Sequence, residues 1–208
     1  MIRTARRLAP CLVVCITLLA LACDEASQSS SRRDEPEPVD PEAVAAARRL
    51  LERASDDQLE NILLIGLRVG PREEPARELE MVRGWTAGRR MLYTTSVLES
   101  EIESGGFAQY FWNTRGQFVK LAWEGLNLIG APQHADLLKR ADDIYRQEPA
   151  LRPAPGREDD SEALAKAAEK SRLKTIDDEF AKLPALKPLR VKYIRGHLDE
   201  FTAPFDKR

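Results

Sequence analysis

From Glu42 onward, apolar residues recur at intervals of three and four, the spacing that gathers side chains onto one face of an α-helix. Val44, Ala47, Leu51 and Ala54 make one such face on Glu42–Ala54. Ser55-Asp56-Asp57-Gln58 has the spacing of a capping box and predicts the start of a second helix. Its run Ile62-Leu63-Leu64-Ile65 also suits a buried strand, and the capping residues favour helix. Pro71 and Pro75 bracket a turn. A helix from about Ala76 then continues towards Glu103, with Leu92, Thr95, Leu98 and Ile102 on one stripe. Gly105-Gly106 ends it, because glycine enters the left-handed conformation that closes helices without a Cβ penalty.

A short aromatic helix, Phe107–Trp112, follows, and Asn113–Gly116 breaks it. Phe118, Ala122, Leu126 and Ile129 mark the next helix, Gly130 its end and Pro132 the start of another that carries Leu138, Ala141 and Tyr145. Beyond a proline-rich loop at 148–158, Asp159 and Glu162 have capping-box spacing. Leu173, Ile176, Phe180 and Leu183 form the face of a later helix, and Leu189, Tyr193, Ile194, Leu198 and Phe201 that of the last. Apart from 62–69, no stretch alternates as a strand does. The expectation is an all-α, compact multi-helix domain with antiparallel neighbours joined by short loops.

The first 22 residues follow a different pattern. Arg3, Arg6 and Arg7 precede an apolar run, Leu8–Ala22, that is too short to span about 30 Å of hydrocarbon comfortably but suits a secretory leader. At its edge, Ala20-Leu21-Ala22-Cys23 resembles the lipobox of bacterial lipoproteins, in which the cysteine thiol receives a diacylglycerol and becomes the new N-terminus. Cys11 and Cys15 lie inside the leader, so the exported chain would keep one thiol, at its first residue, and have no disulfide to make. Residues 24–41 hold serine, proline and charge and almost nothing apolar, the composition of a disordered tether spanning roughly 23 Å. The chain thus divides into a signal peptide at 1–22, a lipidated tether at 23–41, N-terminal helices at 42–84 and a main helical domain at 85–208. All 13 aromatic residues lie between Trp85 and Phe205, which puts the main core in that last segment.

Charge narrows the functions. Residues 86–208 carry 20 bases and 19 acids, which gives neither the basic field that attracts nucleic acid nor a strongly acidic one. The only histidines, His134 and His197, fall in separate helices with no cysteine nearby, whereas a zinc centre needs at least three well-placed ligands. There is no Gly-x-Ser-x-Gly elbow and no glycine-rich phosphate loop, so no metal, no cofactor and no catalytic constellation is expected. Glu101 and Glu103, two apart on a helix, point to different faces and make a poor acid–base pair.

One segment stands out: Glu101-Ile-Glu-Ser-Gly-Gly-Phe-Ala-Gln-Tyr-Phe-Trp-Asn113. With Trp123-Glu-Gly-Leu-Asn-Leu-Ile-Gly-Ala131, Ile176-Asp-Asp-Glu-Phe180 and Tyr193-Ile-Arg195, it resembles the C-terminal-domain family of the DMP-nineteen DNA mimic protein across roughly residues 85–201. The resemblance implies a helical fold. The family takes its name from a member that imitates the phosphate charge of DNA, an activity that needs many more acids than bases, and here the two are balanced.

Within the signature, Glu101, Gly105, Gly106, Phe107, Gln109, Tyr110, Trp112 and Asn113 are the candidate binding or structural residues. Gln109 and Asn113 are one helical turn apart and with Glu101 can line a small polar pocket, which would allow an unrecognised hydrolase. In the structural alternative, Glu101 satisfies backbone donors, Asn113 caps a helix and the aromatics are core. The sequence favours a tethered protein-binding or scaffolding module of the cell envelope, with the membrane and a protein as partners, over an enzyme or a DNA mimic. Cys23→Ala is expected to release the protein from washed membranes. A variant that sediments with membranes as fully as the wild type would contradict the anchor.

Overall fold

The computed structural model describes residues 40–67, 75–156 and 159–203. The expected leader, Cys23 and most of the tether lie outside them, as does Pro71. Ten α-helices and one 3-10 turn occupy the described residues, with no strand among them.

Local chemistry fixes most helix starts. Helix α1 (Pro41–Arg53) opens on Asp40, whose Oδ1 accepts from the Glu42 amide at 2.9 Å, with Pro41 in the first turn. Helix α2 (Asp56–Gly66) opens on the expected capping box: Ser55 Oγ accepts from the Gln58 amide, and Gln58 Oε1 accepts from the Ser55 amide at 3.2 Å. The ambiguous run Ile62–Ile65 lies inside α2 and is helical.

The helix expected from Ala76 to Glu103 is two helices, α3 (Pro75–Arg83) and α4 (Ala87–Thr114). Between them Thr86 caps α4, accepting from the Arg89 amide and donating to Glu200 O at 2.8 Å. Then come α5 (Val119–Leu128), α6 (Pro132–Gln147), a 3-10 turn at Pro149–Leu151, α7 (Ser161–Lys170), α8 (Leu173–Phe180), α9 (Lys187–Gly196) and α10 (Leu198–Thr202). Asp160, one residue beyond the expected cap, starts α7 by accepting from the Ala163 amide at 2.9 Å. The expected last helix is divided at His197 into α9 and α10.

Helix α4 is the centre of the molecule and packs against α3, α5, α7, α8, α9 and α10. Against α5 the approach is close: a Cβ on Gly125 would stand 3.0 Å from Met91 Cα and 3.1 Å from the Thr95 methyl, so a larger residue there would push the two helices apart. Aromatic rings fill the other side. Phe111 stacks on Tyr145 of α6 with ring centres 4.3 Å apart, and Phe107 meets Phe180 of α8 edge to face at 5.7 Å.

The N-terminal pair α1–α2 is held by charge as well as by apolar contact. Arg190 of α9 is buried and donates from Nε and Nη2 to Glu60 Oε1 of α2 at 3.1 and 2.8 Å. The same Nη2 reaches Glu99 Oε2 of α4 at 2.7 Å, while Glu99 Oε1 accepts the Leu186 amide at the head of α9. Three helices therefore meet at one guanidinium and two carboxylates, a set with one net negative charge. Glu60 Oε2 and Arg190 Nη1 have no hydrogen-bond partner. Ion pairs on exposed side chains, such as Arg48–Glu52 and Arg83–Glu80, contribute little beside this, because water screens them.

Removing one member of a buried ion pair strands the others in low dielectric, whereas replacing the whole set with apolar residues need not. Arg190→Ala is expected to lose about 3–5 kcal/mol of stability in urea unfolding. A variant carrying Arg190→Met, Glu60→Leu and Glu99→Gln together, which keeps an acceptor for the Leu186 amide, should recover most of it, and a triple variant as weak as Arg190→Ala would refute this account.

Candidate functional site

The signature segment spans the midpoint of α4, where the helix is kinked. Gly105 (φ −168°, ψ 26°) and Gly106 (φ 75°, ψ −177°) leave helical geometry, and the helix resumes at Phe107 and runs to Thr114. The two glycines thus kink the helix where the sequence predicts an end. The expected aromatic helix is its second half, two residues longer than expected.

A kink exposes backbone donors at the start of the second half, and a side chain from another helix meets them. Asp177 of α8 accepts from the Phe107 amide through Oδ1 at 2.7 Å. It lies so close that a Cβ on Gly106 would be 2.6 Å from Asp177 Oδ2. Glycine is required at 106 on two counts: the positive φ, and the space the carboxylate occupies. Asp177 is half-buried, and burial pushes its carboxyl above the usual aspartate range despite the opposing pull of the Phe107 hydrogen bond.

Glu101, in the last turn before the kink, is buried. Its Oε2 accepts from Gln109 Nε2 at 3.0 Å and Asn113 Nδ2 at 2.7 Å. The three polar signature residues therefore converge on one oxygen, and the bonds tie the two halves of α4 together across the kink. Asn113 is exposed and Gln109 half-buried, so the carboxylate is reached from the surface only past amides that already engage it. Asn113 binds this carboxylate, so the capping role considered for it is not the one its amide plays.

Phe107, Tyr110, Phe111 and Trp112 are all buried and form core. Burial drives the Tyr110 hydroxyl far above its ordinary pKa, with the Asp142 and Glu101 carboxylates adding to the shift. His134 is buried edge-on to Phe180, its Nε2 is 3.1 Å from Pro184 O, and burial lowers its pKa. His197 stacks on Tyr193 with ring centres 4.0 Å apart. Among the described residues no group of three metal-ligating side chains gathers.

The two grooves described on the surface lie elsewhere. One, of about 540 Å³, runs between α6 and α8 and is bordered by Leu137, Leu183, Arg140 and Glu179. The other, of about 390 Å³, lies between α1 and α2. Neither is lined by Glu101, Gln109 or Asn113.

The site is thus a helical scaffold whose marked residues brace a kink. The chain belongs to the DMP19-like protein family, whose match covers residues 83–197 and so includes the kink, Glu101, Asp177 and Arg190. No curated protein and no solved structure matches it.

Asp177 was not singled out in the sequence, because nothing local marks a capping residue 70 positions from the amide it serves. Two predictions follow from its contacts. Gly106→Ala should destabilise by about 1–3 kcal/mol in urea unfolding, the cost of a non-glycine residue at positive φ with ψ near 180°, with the carboxylate contact adding to it. Gly105→Ala should cost less, since φ at 105 is not positive and its Cβ would meet the Gln109 side chain, which must shift at some expense of its bond to Glu101. The raised pKa of Asp177 gives a sign: the folded state holds this proton more tightly than the unfolded chain. Its favourable contribution is therefore complete below the unfolded aspartate pKa near 4 and is lost as pH rises through the higher folded value. Wild-type stability measured against Asp177→Asn should fall across that window, and a difference that is flat with pH would refute the shift.

Proposed function

We propose that this DMP19-like chain is a lipoprotein of the bacterial cell envelope, tethered by acyl groups on Cys23, and that its helical domain is a protein-binding or scaffolding module. The observation that carries the reading is the use made of Glu101. Its carboxylate is spent on two amides that brace the central helix, which favours a structural role for the signature over chemistry on a substrate. What the domain offers to other molecules is then its surface, including the groove between α6 and α8.

The membrane half of the reading rests on the basic n-region, the short apolar run and the single cysteine left after cleavage. No helix among the described residues is long and apolar enough to cross a membrane, so an acyl anchor would carry the attachment. Imitation of DNA is the weaker reading for this member of the family, because 20 bases and 19 acids over 86–208 cannot present the one-sided charge of a phosphate backbone.

Mild crosslinking on intact cells, followed by capture of the chain from solubilised envelopes, is expected to give a discrete protein adduct. Gln133→Arg with Lys182→Glu, both at the α6–α8 groove, should weaken that adduct without changing thermal stability. Capture of the chain alone, across crosslinkers of several lengths, would refute the binding role.

A further inference from the structure

Leu51 and Leu59 of α1–α2 enter the core and Ile62, Leu63 and Leu64 pack against it, but two apolar side chains are left outside. Leu50 is 56% exposed and Ile65 62% exposed, the two most exposed of the large hydrophobic side chains described. They belong to one groove. On α1 Leu50 and Arg53 fall at i and i+3, followed by the cap residue Ala54; on α2, Gln58, Asn61, Ile62 and Ile65 fall at i, i+3, i+4 and i+7. Each helix therefore turns one continuous stripe towards the same space of about 390 Å³.

The charge around the groove is uneven. Arg53 is the only charged residue in its lining. The nearby acids of the two helices are each engaged by a base: Glu52 by Arg48, Asp56 by Arg195 at 2.8 Å and Asp57 by Lys187 at 2.7 Å. An apolar floor with a cationic rim complements a surface that is greasy within and anionic at its edge.

Size and position select the occupant. A stable contact between two copies buries roughly 800 Å² and 20 to 30 residues on each, whereas seven residues line this groove. A contact that small is useful where something else supplies the concentration. The groove lies on the first two helices of the fold, and residues 24–40 alone separate Cys23 from α1. A flexible chain of that length and of the serine-, proline- and charge-rich composition read above would span roughly 23 Å, and Leu50 is about 14 Å further along the helix axis. The face is within reach of the bilayer that would hold the anchor.

We infer that the α1–α2 face bearing Leu50, Ile62 and Ile65, with Arg53 at its rim, rests on the anionic membrane surface to which Cys23 is tethered and so sets the orientation of the domain. The inference rests on the proposed lipoprotein reading, and its test separates the two. Leu50→Trp, Ile65→Trp and, on another exposed position, Lys170→Trp would be made in the full chain, both acylated and with Cys23→Ala. Each is mixed with phosphatidylglycerol-containing vesicles whose acyl chains are brominated, after circular dichroism has shown unchanged helicity.

Emission from Leu50→Trp and Ile65→Trp, corrected for the three native tryptophans, should be quenched several-fold more than that from Lys170→Trp. The excess should persist in the Cys23→Ala background at high lipid and vanish on phosphatidylcholine vesicles. Quenching in that background supports the docking face even if mass spectrometry finds no lipid on Cys23, an outcome that would refute the anchor alone. No excess quenching in a chain whose acyl groups are confirmed by mass would overturn the docking face and leave the anchor standing. A lipid-free shift in Leu50→Trp emission with protein concentration, accompanied by a doubled sedimenting mass, would assign the face to a second copy and overturn the inference.

Discussion

The hydrogen bond from the Phe107 amide to Asp177 is the contact around which the fold is arranged. The 28-residue helix α4 is interrupted at Gly105-Gly106, and the aromatic half beyond the interruption packs on α6 and α8. The kink at Gly105-Gly106 redirects that half, and redirection leaves backbone donors without helical partners. Asp177 supplies one acceptor from α8, and Glu101 takes two side-chain amides from beyond the bend. The stacking of Phe111 on Tyr145 and the edge contact of Phe107 with Phe180 both follow from where the redirected segment lies.

In that arrangement a segment rich in glutamate, glutamine, asparagine and aromatics holds the two parts of the central helix together across its kink. Chemistry and bracing call for the same residue types, since both need donors and acceptors at fixed positions. They differ in whether the groups are left available. Here the Glu101 oxygen already accepts two amides, and the rings are packed. The two surface grooves lie apart from these residues, one between α6 and α8 and one between α1 and α2.

Much of the helical layout was legible because helix ends are local events. Ser55 with Gln58, Pro132 and the glycine pair all announced themselves within four residues. The break between α3 and α4 was also written locally, in Gly84 followed by Thr86, and was obscured by the apolar stripe continuing on either side. The buried ion set had a faint mark: Glu99 falls on the same stripe as Leu92, Thr95 and Ile102, and Glu60 lies among Leu59, Leu63 and Leu64, where a charge is out of place. Its partners, 130 and 91 positions away on Arg190, belong to tertiary structure and have no sequence signal. Asp177 lies in the block Ile176–Phe180 that carries the family resemblance, but the amide it serves, 70 residues earlier, is set by tertiary structure.

The family match covers Glu99 and Arg190 but stops short of Glu60. Within the matched span of this chain, then, the guanidinium and one carboxylate form an electrically neutral couple, and α2 contributes the surplus acid. A chain trimmed to the shared span would leave that couple facing water, where both charges are readily solvated. The excess negative charge of this buried set therefore arises only where α2 closes over the arginine.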